Sequence, residues 1–394
     1  MCFTEVNCQR FIVYLILFNL RNLWMIETKI SKLPYFAPEE FHFFDWTEML
    51  FSPSSATGGF RQMSYANPEE FHAPPPPSTL DESVSRPTKL RIPAIVLFVV
   101  GVLLLLGGIA KIIPGGIGTG IALVVWGLLL FGLSFVPLPR LGPDAPPPMS
   151  PMQRLTGIFF EPSQVFKNLG RHPRWLSAFL IIAFLNIGYA VAFWHRLTPE
   201  RIVAYVTEKM AQTPLIPPEA VERAKVNQLE QAKDPIQRVQ TAVKSMFGLF
   251  LLYAVTAALY LLGVLVFGGR INYWQAFVVA VYAALPVAII QRIVSFIILY
   301  VKSPDDIHPI LGQETLVQDN LGILFSPAEH PVLFVAATSI GILSFYGLWL
   351  RATGLRNAGE KVSKAAAWGT VIVFWALAVL IGIIFAALFP AFIS

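Results

Sequence analysis

The sequence predicts an all-α integral membrane protein, a polytopic helical bundle of about seven spans, a two-helix hairpin plus five, with N-terminus in and C-terminus out. Three observations predict it. The 394-residue chain is 55% hydrophobic and 13% charged, with a mean hydropathy of +0.61, far more apolar than a soluble domain needs. Apolar runs close to the length that crosses a hydrocarbon core recur along it. Its cations gather in alternate loops, as the positive-inside rule requires.

The formal net charge of +5 does not imply nucleic acid as a partner, because no basic cluster is free of hydrophobic flanks. Cys2 and Cys8 are the only cysteines, so neither a disulfide framework nor a cysteine metal site supports the fold.

Residues 1–91 form a cytoplasmic region expected to be disordered or mis-started. The apolar run Phe11–Leu20 is too short to span, and no small-residue cleavage site follows it, which argues against a signal peptide. Met63 is an alternative start. It opens a polar, proline-rich tail in which Pro74–Pro77 offers a docking segment. PEEFH occurs at Pro38–His42 and again at Pro68–His72; without a third ligand, two short copies are weak evidence for a metal site.

Residues 92–136 form a transmembrane hairpin turning at Pro114-Gly115, with glycines on both arms to let the backbones approach. GGIGTG lacks both the preceding strand and the following Lys-Ser/Thr of a phosphate loop. Residues 137–151 are a proline-rich linker, and 152–394 a five-helix domain. The domain opens with an amphipathic segment interrupted at Pro162, expected to lie in the membrane interface. Trp175–Trp194 spans. Residues 195–245 are a helical loop in which Thr198-Pro199 and Asp234-Pro235 mark helix starts and Glu219 pairs with Arg223 at i,i+4. Met246–Phe267 spans again. The acidic loop after Lys302 belongs outside, and Val332–Leu350 and Ala365–Phe389 complete the spans, with Arg351, Arg356, Lys361 and Lys364 as the loop cations between them.

The chain is organised around Tyr273–Val301, a span with an arginine inside. Its many Leu, Ile, Val and Phe residues, each favouring insertion by roughly 0.3–0.6 kcal/mol, outweigh about 3 kcal/mol for a central arginine. Arg292 must still find partners. Ala284, Ala288, Gln291 and Ser295 share one helical face with Arg292 at its edge, turned toward neighbouring helices, and Pro286 favours a kink nearby. Gln291 and Arg292 are therefore the candidate intramembrane polar site. Arg292 is either a packed or snorkelling structural residue or, with Asn186 or Tyr189, part of a solute path.

From Gln153 onward the chain resembles the bacterial branch of the Yip-one domain (Ypt/Rab-interacting protein) membrane family. The resemblance rests on LTGIFFEPSQVFKNLGRHPRW, a helical PPEAVERA loop, YAALPVAIIQR, ILFSPAEHP and GLWLRATGLRNAGEKVSKAAAW, in that order. It implies a five-helix membrane domain in the plasma (inner) membrane of a bacterium, with the same orientation that the charges give. Eukaryotic relatives are associated with Rab GTPases and with traffic between endoplasmic reticulum and Golgi. The Asp-Leu-Tyr-Gly-Pro element of those relatives is not found in this chain, so Rab binding is not carried over.

These observations favour a non-enzymatic membrane-organising or partner-recruiting protein, its partners being membrane lipids and an unidentified protein. No cofactor is implied. A small-solute transporter using Arg292 is the alternative, weakened by the lack of an inverted repeat. An intramembrane hydrolase fares worst: there is no His-Glu-x-x-His, no Gly-x-Ser-x-Gly and no intramembrane acid pair. His172, His195, His308 and His330 lack ligand spacing.

Overall fold

The computed structural model describes residues 88–390 apart from 140, 142–145, 213–216, 315 and 389. Cys2, Cys8, Phe11–Leu20, both PEEFH copies, Met63 and Pro74–Pro77 lie outside the described residues. Among those described, structure is helical apart from two isolated bridges, Arg270 with Lys361 and Asn320 with Gly341.

The hairpin is α1 (Arg91–Ile109) and α2 (Gly116–Leu133), with Gly115 in the left-handed region at its turn. Its glycines explain the close packing. A Cβ on Gly101 would stand 2.6 Å from Val124 N, and one on Gly120 2.5 Å from Leu105 N, so backbone lies against backbone. A Cβ on Gly132 would meet nothing within 4 Å, so not every glycine of the hairpin serves the contact. The hairpin is bound to the later helices at both ends. Gln240 donates to Pro114 O at 2.9 Å, and Trp274 Nε1 donates to Val136 O at 3.0 Å.

The remaining helices of eight residues or more are α3 (Pro151–Phe160), α4 (Pro162–Arg171), α5 (Leu176–Leu197), α6 (Pro199–Ala211), α7 (Pro218–Lys233), α8 (Pro235–Val266), α9 (Tyr273–Val301), α10 (Pro331–Thr338), α11 (Ile342–Ala358) and α12 (Lys364–Leu388). Ser150 and Gln153 close a capping box on α3. The apolar side of α4 (Val165, Phe166 and Leu169) is buried, and a Cβ on Gly170 would come within 2.5 Å of Ala358 O, so α4 packs directly on α11. At the centre stands α9, buried all round from Trp274 to Val287 and packed against α5, α8 and α11. Large apolar side chains of α9 are exposed only near its C-terminal end, at Ile293, Ile297, Tyr300 and Val301. The helix runs unbroken through Pro286.

Three expectations are corrected. Thr198 precedes α6 but caps nothing with its hydroxyl and sits at φ 67°, an unusual value for a β-branched residue. Asp234 does cap, accepting from Ile236 N at 2.9 Å, but the helix it starts is the membrane helix itself: α8 runs 32 residues from Pro235 to Val266, so the loop and the following span are one element.

The largest correction concerns Val332–Leu350. Among the described residues six helices, α1, α2, α5, α8, α9 and α12, are long and apolar enough to cross a membrane, where seven were expected. The expected sixth span is broken into α10 and α11 at residues 339–341. The reason is local. Thr338 and Ser339 turn their hydroxyls back on Val335 O and Ala336 O, ending α10. Asp319 then supplies the new start, its backbone oxygen accepting from Ile342 N and its carboxylate from Leu343 N at 2.7 Å. The helix continues past Leu350 to Ala358, so Arg351 is a helix residue rather than a loop cation.

Candidate functional site

Two arginines lie within the bundle, in opposite circumstances. Arg292 is 8% exposed. One turn apart on α5, Asn186 and Tyr189 are brought to it: Arg292 Nε donates to Asn186 Oδ1 at 2.9 Å, Nη2 donates to the same oxygen, and the guanidinium lies 4.8 Å from the Tyr189 ring centroid. Each partner is itself fixed. Asn186 Nδ2 donates to Ile182 O at 2.8 Å, and Tyr189 OH donates to Gly312 O at 2.6 Å. Ser295, on the same side of α9, accepts from Leu316 N at 3.0 Å. The polar face of α9 thus holds α5 and the loop after it together. Gln291 is half-buried and forms no side-chain hydrogen bond among the described residues.

The other arginine is Arg351, which sequence reasoning had placed in a loop. Its guanidinium folds back along α11, with Nη1 3.9 Å from where a Cβ on Gly347 would be, so it points away from the nearer helix end. It enters a cavity of about 200 Å³ walled by α8, α9, α11 and α12. Tyr253, Thr256, Tyr260, Ser344 and Trp375 are among the residues that line it. Among the described residues no carboxylate or carbonyl bonds the Arg351 guanidinium, and Trp375 Nε1 is buried without an acceptor. The sequence did hold a signal: Ser344, Gly347 and Arg351 repeat at helical spacing, with no proline between residues 344 and 358.

A third polar group lies on the cleft between α6 and the loop after α9, lined by Arg201, Tyr205, Glu208, Asp305, Asp306 and His308. Arg201 pairs with Asp305 at 2.8 Å. His308 Nδ1 accepts from Ile310 N and Leu311 N, so its proton sits on Nε2, which donates to Tyr205 OH at 2.9 Å. Burial, and then the charge of Lys209, lower its pKa from 6.5 to about 4. This histidine caps a turn. Among the described residues, no group of three or more His, Cys, Asp or Glu side chains comes together to hold a metal.

A family profile for the Yip1 domain matches residues 156–386, from α3 to the end of α12 and leaving the hairpin outside. No curated protein and no solved structure matches the chain.

Proposed function

The chain belongs to the Yip1 domain family, and from that premise we propose that this multi-pass membrane protein is non-enzymatic and organises its membrane by recruiting a protein partner. The observation that carries the reading is the state of Arg292. A solute path needs its polar groups facing a lumen, but this guanidinium is occupied by Asn186 and Tyr189 and lies 8% exposed. Arg292 in this reading is a brace between α9 and α5, and Gln291 has no separate role.

Recruitment is assigned to the proline-rich tail at Pro74–Pro77, the docking segment that the sequence offers. The chain is of the bacterial type, in the plasma membrane, N-terminus in. Supporting that orientation, cationic segments converge at one end of the bundle: Arg270 pairs with Lys361, and Arg154 donates to Arg174 O at 3.0 Å.

The test is capture of partners from native membranes in mild detergent by the chain beginning at Met63, beside a deletion of residues 63–84 and Arg292→Met. A protein partner lost with the deletion and kept with Arg292→Met is the expected result. Capture indifferent to the deletion, with solute flux that vanishes in folded Arg292→Met, would reinstate the transporter.

A further inference from the structure

We propose that the cavity around Arg351 is a binding site for the anionic phosphate headgroup of a membrane lipid. An arginine held among apolar helices without a counter-charge is costly, and the usual resolution is a carboxylate, a carbonyl or an external anion. Here the first two do not reach it among the described residues. Snorkelling toward the cationic end of α11 does not resolve it either, because the guanidinium lies beside Gly347, about 16 Å of helix from Ala358 and the loop cations beyond it.

The rest of the cavity fits an anion. Trp375 Nε1 is a buried donor with no acceptor, and Arg351 brings a planar fork of donors suited to phosphate. Tyr253 and Tyr260 line the same cavity. At about 200 Å³ the space is below the usual range for a whole drug-sized ligand, and it suits a headgroup. Its mouth decides between a lipid and a soluble anion. Leu377 and Ile381 line it and are exposed on the outer side of α12, so the cavity opens sideways onto apolar surface at membrane level, where an acyl chain can lie. The site is independent of the tail and of Arg292, and goes beyond the recruiting role.

The test places the full chain in phosphatidylcholine nanodiscs with and without phosphatidylglycerol, and counts tightly held lipid by native mass spectrometry. Phosphatidylglycerol should be retained over phosphatidylcholine, and Arg351→Gln should lower that retention about tenfold or more. Arg351→Lys should restore part of it. Trp375→Phe, which keeps a ring and loses the N–H, should lower retention by a smaller factor, and millimolar inorganic phosphate should leave the lipid in place. Equal retention by wild type and folded Arg351→Gln would overturn the proposal. Displacement of the lipid by inorganic phosphate would assign the cavity to a soluble anion and overturn it as well. If Arg351→Gln does not fold, unchanged retention in Trp375→Phe has the same force.

Discussion

Replacing Asn186 with leucine should destabilise the protein more when Arg292 is present than when it is absent. Asn186 Oδ1 accepts from two nitrogens of a guanidinium that is 8% exposed. Its removal takes one acceptor from a buried guanidinium, and a hydrogen bond to a charged group contributes about 1.5–3 kcal/mol. The contact with the Tyr189 ring remains and limits the damage. A loss of about 2–3 kcal/mol is therefore expected for Asn186→Leu. Arg292→Met removes the charge, the ring contact and the partner of Asn186, for about 2 kcal/mol. In the double variant the Asn186–Arg292 hydrogen-bonded pair is removed as a unit, so the loss should fall short of the sum by about 1–3 kcal/mol. Unfolding by SDS titration in mixed micelles measures all four proteins. Effects that add to within about 0.5 kcal/mol would refute the brace.

Other perturbations follow from the same structure. Folded His308 titrates near 4 against 6.5 in the unfolded chain, so the unfolded state binds the proton first. Stability is full above 6.5 and declines as pH falls toward 4, by at most about 3 kcal/mol. His308→Asn, whose side-chain oxygen can accept in place of Nδ1, should flatten the thermal stability curve across that window, and an unchanged slope would assign the dependence to other groups. Asp319→Ala removes the acceptor of Leu343 N and should loosen the start of α11 by about 1–2 kcal/mol, seen as faster amide exchange at residues 342–345; unaltered exchange there would deny the capping role. Gly120→Val puts side-chain carbon where Leu105 N stands 2.5 Å away. It should lower stability by about 1–3 kcal/mol or more and weaken a cysteine crosslink between α1 and α2, whereas Gly132→Val should do neither.

Much of this architecture was legible because membrane helices must satisfy their backbone internally and therefore announce themselves as long apolar runs. The hairpin, α5, α9 and α12 follow that rule. The broken span did not yield to it. Val332–Leu350 is apolar throughout, and what divides it is a carboxylate at Asp319, distant in sequence and close only after folding. Asn186 and Tyr189 were nameable as company for Arg292 since polar groups on neighbouring spans are few, but only the fold shows them one turn apart beneath the guanidinium. Arg351 was misplaced for a physical reason. Charge was treated as the end of a span, yet a helix continues wherever its backbone is satisfied, and α11 runs seven residues further to Ala358.

Arg292 and Arg351 do different work, Arg292 holding helices together and Arg351 holding a ligand. The most direct measurement compares wild type, Asn186→Leu and Arg351→Gln for lipid-free stability and for phosphatidylglycerol retention in the folded state. Asn186→Leu should lose stability and keep the lipid; Arg351→Gln should keep stability and lose the lipid. If Arg351→Gln lowered lipid-free stability as much as Asn186→Leu and released no lipid, the division between them would be contradicted.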